Sequence, residues 1–125
     1  MSILLDTNVL LWWLDNPEIL TEATRQAIAD PMRTVYVSAI SYMEIVIKQS
    51  SGKLGIDKPW ETAIEEARFT QLSFSSAHAL AVKGIPPLHK DPFDRMLVAQ
   101  AMVEGATLAT ADGKLAEYGI PILAA

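Results

Sequence analysis

The sequence contains no cysteine, only two histidines, and fewer basic than acidic residues: ten Lys and Arg against fifteen Asp and Glu. Without cysteine there is no disulfide framework, thiolate zinc site, iron–sulfur cluster or thiol nucleophile. Two histidines, His78 and His89, are too few for a histidine-rich metal centre. The longest apolar run, Val9 to Leu14, falls far short of the ~18 residues that suggest a membrane span. The opening Met-Ser-Ile-Leu-Leu-Asp has no basic leader and meets an acid at position 6, unlike a secretory signal. A soluble cytoplasmic protein with no membrane partner is therefore expected. The net charge of −5 argues against a general DNA coat, which neutralises many phosphates with Lys and Arg. It leaves room for a nucleic-acid enzyme whose acids hold cations.

Half of the 125 residues are apolar, enough for one domain over residues 1–125 that buries roughly two-thirds of its unfolded surface. The mean hydropathy of +0.22 predicts an exposed apolar patch covered by a second copy or another protein.

Short apolar runs alternate with helical patterns. Strands are expected at 3–5, 34–37, 71–74, 106–109 and 120–123, where β-branched and other apolar residues cluster. Helices are expected at 9–14, 21–30 (Thr21 as cap, Pro31 as stop), 39–49, 59–69, 76–82, 92–103 and 113–118. Stretches 52–59 and 83–90, rich in Gly, Pro and Lys, read as loops. Strand–helix alternation with near-continuous apolar strands predicts an α/β fold: a three-layer sandwich with a central, mainly parallel sheet flanked by helices.

In such sheets ligands bind beyond the carboxyl ends of the strands. Asp6 directly follows the first strand, Asp112 follows the fourth, Glu44 lies in the helix after the second, and Asp91 and Asp94 open the helix 92–103. Each also has a capping reading. Asp91-Pro92-Phe93-Asp94 has the spacing of a capping box, Ser41 and Glu44 share it, and Asp6 and Asp112 each precede a helix. Glu44 fits a solvated face poorly, because Ile40, Met43, Ile45, Val46 and Ile47 surround it. If Asp6, Glu44, Asp94 and Asp112 meet at one edge, repulsion is on the order of 4 kcal/mol per close pair at an effective dielectric of 20. No basic residue adjoins Asp6, Glu44 or Asp112, and only Arg95 adjoins Asp94. A divalent cation relieves that repulsion, and an all-oxygen donor set suits Mg²⁺ or Mn²⁺ rather than zinc. An ion so held activates water against a phosphodiester.

Four segments then carry a resemblance: Ile-Leu-Leu-Asp6-Thr7-Asn8-Val9-Leu10-Leu11-Trp12, Ser41-Tyr42-Met43-Glu44-Ile45, His89-Lys90-Asp91-Pro92-Phe93-Asp94-Arg95-Met96-Leu97-Val98-Ala99-Gln100-Ala101, and Leu108-Ala109-Thr110-Ala111-Asp112. Together they closely resemble PIN-domain proteins, and among these the VapC-type toxins of bacterial and archaeal toxin–antitoxin pairs, essentially end to end. The resemblance implies a metal-dependent endoribonuclease acting on RNA, silenced by a small antitoxin and usually homodimeric. It matches Asp6, Glu44 and Asp94 to the family's three core acids and Asp112 to the fourth, less uniform one. Asp6 and Asp94 are then direct ligands of Mg²⁺ or Mn²⁺. Glu44 and Asp112 bind the same or a second ion, or orient water. Asn8 and Thr110 match positions that support the first and last acids, and Asp91 fits the same motif from its N-terminal side.

Lys48, Lys53, Lys58, Lys90 and Arg95 are candidates for holding the RNA backbone, with Arg95 and Lys48 foremost; their alternative is ordinary solvated cations. Trp12, Trp13 and Trp60 sit among leucines and read as packing rather than base-stacking residues. His89 lies near Asp91 and Asp94 but has neither a nucleophile nor a second histidine beside it. No Gly-x-Ser-x-Gly elbow supports serine hydrolysis. A phospho-receiver domain would need paired early acids and a late strand-end lysine, whereas Asp6 stands alone and Thr110 occupies the late position. A non-catalytic RNA- or protein-binding scaffold of the same fold stays open, since intact acids show competence rather than turnover.

Overall fold

The structure, a computed structural model, describes residues 1–56 and 58–125. Position 57, in the expected 52–59 loop, lies outside the described residues. The elements in chain order are β1 (Ile3–Leu5), α1 (Thr7–Asp15), a 3-10 turn (Pro17–Ile19), α2 (Glu22–Ala29), β2 (Val35–Ser38), α3 (Ala39–Ser50), α4 (Trp60–Glu66), β3 (Thr70–Leu72), α5 (Ser76–Gly84), α6 (Pro92–Glu104), β4 (Thr107–Thr110), a 3-10 segment (Gly113–Tyr118) and β5 (Ile122–Ala124).

The five strands form one sheet in the order β3-β2-β1-β4-β5. Every pairing is parallel, with Ile3 opposite Val35 and Thr107, Tyr36 opposite Thr70, and Leu108 opposite Ile122. The expected alternation of strands and helices is thus realised as a fully parallel sheet. Strand order reverses at β1: β2 and β3 lie on one side, β4 and β5 on the other. The crevice where ligands bind in doubly wound sheets is at such a reversal, beyond the carboxyl ends.

Period-two alternation divides β1 between two cores. Ile3 and Leu5 join Val9, Leu10, Ile28, Val35, Val37 and Ile64 on one face, while Leu4 joins Leu97, Val98, Leu108 and Leu115 on the other. Ile3, Leu4 and Leu5 are fully buried, and each contributes roughly 1.5–3 kcal/mol of transfer free energy. The strand is therefore anchored from both sides, which fixes the acid that follows it.

Several boundaries differ from the sequence expectation for identifiable reasons. The first helix begins at Thr7 rather than 9, because the Asp6 side chain caps it. The fourth ends at Glu66 rather than reaching 69, because Arg68 takes a left-handed conformation at φ 61°. α5 continues through Lys83 and Gly84, expected in the loop. Residues 113–118 form 3-10 turns ended by Gly119 at φ 76°. Among the described residues, no helix is long and apolar enough to cross a membrane.

Candidate active site

Asp6 leaves β1 with its backbone N–H still donating to the Ala109 carbonyl of β4 (3.0 Å), so the strand ladder carries the acid to the point of reversal. Its Oδ1 accepts from Val9 N–H at 2.8 Å, capping α1. Asp112 lies just beyond the neighbouring strand β4. Its N–H donates to Thr110 Oγ1 (3.0 Å), and its Oδ1 accepts from Lys114 N–H (3.0 Å). Asp91 caps α6, its Oδ1 accepting from Phe93 N–H (2.9 Å) and Asp94 N–H (3.5 Å), with Pro92 pre-set in the first turn. The capping and site readings are thus compatible for Asp6 and Asp112: the cap takes one oxygen and orients the carboxylate.

For Asp94 the reciprocal half of the capping box is not made. Its Oδ2 turns instead to His89 Nε2 at 3.0 Å, and the same Nε2 lies 3.4 Å from Asp112 Oδ2. The Ser41–Glu44 box is likewise absent. Ser38 caps α3 by accepting from Ile40 N–H, and Ser41 accepts from the Thr7 hydroxyl (3.0 Å), tying α3 to the first turn of α1. Glu44 is buried, one turn further along α3, and its Oε2 receives Lys48 Nζ at 2.6 Å.

The acids act on one another in pairs, with Asp6 as the common member. Burial pushes the Asp6 carboxyl up, against the Thr110 hydroxyl and Val9 N–H that favour its charged form, and the charges of Glu44 and Asp112 push it further. Asp94 is pushed up to about 6, first by burial and then by Asp91 and Asp6, with His89 opposing. The hydrogen bond it donates to Glu44 holds the Lys48 ammonium above its ordinary value, assisted by the charges of Glu44, Asp91 and Asp94. Asp6 thus lies within electrostatic reach of Glu44, Asp94 and Asp112, with the Thr110 hydroxyl beside Asp6 and Asp91 beside Asp94.

Other expected residues fall elsewhere. Lys48 sits at the rim, engaged with Glu44. Arg95 makes no ion pair with Asp94; its Nε is buried without a partner among the described residues. Asn8 is exposed and lines an apolar groove of about 540 Å³ between α1 and α4, walled by Leu11, Trp12, Leu54, Ile56 and Trp60. That groove accounts for Trp12 and Trp60 as packing residues and, with exposed Met43, Val46 and Ile47 on α3, supplies the apolar surface anticipated from hydropathy.

Sequence reasoning underrated His89. The only signal was its place just before the Asp91 cap; the turn that aims it at Asp94 and Asp112 is tertiary. Glu44 and Lys48 stand at the i,i+4 spacing that lets side chains pair on one helix face, a signal present in the sequence itself.

The donor set fits a divalent ion. Asp94 and Asp112 meet at His89, their partner among the described residues being a histidine rather than a Lys or Arg, and the charge of Asp6 acts on Asp94 from beside them. Oxygen-rich sites with surplus negative charge suit Mg²⁺ and Mn²⁺.

Comparison with known proteins agrees with this architecture. The PIN domain family model matches residues 3–121. Ribonuclease VapC22 of Mycobacterium tuberculosis is 31% identical over 125 residues, covering 96% of this chain and 94% of that protein. Among solved structures, VapBC2 from Rickettsia felis bound to a promoter DNA fragment superposes with a TM-score of 0.75 at 18% identity, covering 98% of this chain and 97% of the other. DNA-bound VapBC from Salmonella typhimurium gives 0.71 at 21% identity, covering 99% and 98%. A parallel sheet that gathers acids where its strand order reverses, matched by a family model over nearly its whole length, makes this chain a member of the PIN domain family.

Proposed function

We propose that this chain, a single PIN domain over residues 1–125, is the toxin of a toxin–antitoxin pair: a Mg²⁺- or Mn²⁺-dependent endoribonuclease acting on cytoplasmic RNA. The observation that carries the reading is the convergence of Asp6, Glu44, Asp94 and Asp112 at the reversal of the sheet, where acids outnumber cations. The likeness to a protein named as a ribonuclease supports the substrate class.

Asp6 and Asp94 are the direct metal ligands in this reading, the Asp6 carboxylate oriented by its cap on α1 and that of Asp94 by His89. Asp112, held by Thr110 and by its own cap, faces the same space. Glu44 is held in place by Lys48 and orients water from the α3 side. When bound, a divalent ion lowers the pKa of a coordinated water and neutralises charge on the phosphodiester. Lys48, part-exposed, offers a basic contact for the RNA backbone, a positioning contact that reads no sequence. The apolar groove beside α1 and the exposed face of α3 provide surface for a small antitoxin and a second copy of the chain.

The test is cleavage of total cellular RNA by purified protein with Mg²⁺, Mn²⁺ or EDTA, with the catalytically critical acids replaced singly. Cleavage that requires the ion and disappears in Asp6→Asn and Asp94→Asn is expected. Folded protein that binds RNA but never cleaves it under any ion would favour the scaffold reading instead.

A further inference from the structure

We infer that His89 supplies a nitrogen ligand to the divalent ion, making the centre a mixed nitrogen–oxygen site that prefers Mn²⁺ to Mg²⁺; this rests on the metal-dependent reading above. His89 lies between α5 and α6, two residues before the Asp91 cap. The preceding chain turns tightly, with Leu88 N–H donating to the Pro86 carbonyl at 2.9 Å. The imidazole is thereby folded back over the first turn of α6.

There Nε2 stands 3.0 Å from Asp94 Oδ2 and 3.4 Å from Asp112 Oδ2, and the three donor atoms all lie within 4.8 Å of one another. An ion bound octahedrally at about 2.1 Å separates neighbouring ligands by about 3.0 Å. Nε2 therefore already stands near the spacing of adjacent ligands from each of the two carboxylate oxygens. Their anchorage is independent: Asp94 is on α6, Asp112 follows β4, and His89 comes from the connecting loop. A lysine in the same place would serve only as a counter-charge, whereas a neutral imidazole has a lone pair to offer. Mg²⁺ is the harder ion and holds to oxygen, whereas the transition ion Mn²⁺ takes a nitrogen ligand among carboxylates more readily, so an imidazole there moves preference from Mg²⁺ toward Mn²⁺.

The second histidine is an internal control. His78 Nδ1 accepts from Ser75 N–H (2.9 Å), which assigns the proton to Nε2, and Nε2 donates to Glu104 Oε2 (2.9 Å). Neither nitrogen is free for a metal. Glu104 also lies ten residues beyond Asp94 on α6, about 15 Å along the axis.

Pulsed electron paramagnetic resonance of the protein loaded with Mn²⁺ alone tests the inference, read on ordinary protein and on protein carrying ¹⁵N-histidine. Directly coordinated imidazole gives nitrogen modulation that changes with the isotope; His89→Gln, which retains a hydrogen-bonding side chain, should abolish it. Calorimetry should then show the Mn²⁺-over-Mg²⁺ affinity ratio falling about tenfold in His89→Gln. Mn²⁺ bound by wild type without histidine nitrogen coupling overturns the inference and leaves a carboxylate nuclease standing. Coupling that persists in folded His89→Gln overturns it as well. No Mn²⁺ uptake by wild type, with or without RNA, overturns both this inference and the metal-dependent reading.

Discussion

Two polar clusters, one around buried His78 and the other around half-buried His89, sit against α6 and follow opposite rules. In the first, the Ser38 hydroxyl accepts from Ile40 N–H and donates to Gln100 Oε1, while Gln100 Nε2 donates to the Ser73 carbonyl at 3.3 Å. Ser75 N–H fixes the His78 tautomer, and His78 donates to Glu104. Donors and acceptors match there, and the cluster is closed. In the second, Asp94 and Asp112 share His89 as their partner, Asp6 lies near enough for its charge to act on Asp94, and Asp94 and Asp6 are pushed up from the ordinary carboxylate range. Acceptors exceed donors, and the cluster is open. A satisfied network specifies packing; one with surplus negative charge is tolerable only if a cation from outside completes it.

The largest expected effect would break that contrast outright. Asp94→Asn or Asp6→Asn should lower RNA cleavage by about 10²–10³-fold or more, since each removes charge aimed at the ion. Gln100→Leu, in the closed cluster, should leave the rate per folded molecule unchanged; fluorescence-quenched RNA with the folded fraction measured in parallel reads both. Next, Mg²⁺ or Mn²⁺ at a hundred times its dissociation constant should stabilise wild type and Gln100→Leu alike by about 2.7 kcal/mol. The shift should vanish from the thermal melts of an Asp94→Asn, Asp112→Asn double variant.

Gln100→Leu itself should cost about 1–3 kcal/mol in urea unfolding, because Ser38 and the Ser73 carbonyl lose partners in a buried setting. The smallest effect concerns pH. The Asp94 carboxyl is pushed up to about 6 in the folded protein from an ordinary 3.8, so over that interval the native state binds more protons than the unfolded one. Metal-free stability therefore declines as pH rises from about 4 to 6 and stays reduced above it. Asp94→Asn lacks this loss and should be more stable than wild type at pH 7.5 by about 1 kcal/mol, the figure discounted for partial solvent screening. The two should converge below pH 4. A metal-free variant that is less stable at pH 7.5 would mean that Asp94 is not repelled as described.

Much of the open cluster was legible because its acids stand where local signals change. Asp6 ends an apolar run, Asp112 follows another, and Asp94 comes two residues after Pro92. Those signals are local, and caps and strand ends are local structures. The closed cluster was not legible. Ser38, Gln100 and His78 come from three elements separated by 62 and 22 residues, and no periodicity links them. Ser41 shows the converse failure. Its spacing to Glu44 suited a cap, yet Ser38 had already taken that role at the strand end, which freed Ser41 to meet Thr7. Asn8 stands two residues from Asp6, but one helical step turns it outward to the groove.

By itself the sequence determined the alternation of elements, the parallel character of the sheet and the identity of the acids, because each follows from short-range periodicity, caps and breakers. Only the tertiary structure decided that β4 returns beside β1, that Glu44 is held by Lys48, and that His89 reaches both Asp94 and Asp112. Strand order and a loop's final direction depend on burying two apolar faces at once, and that balance is struck between residues far apart in the chain.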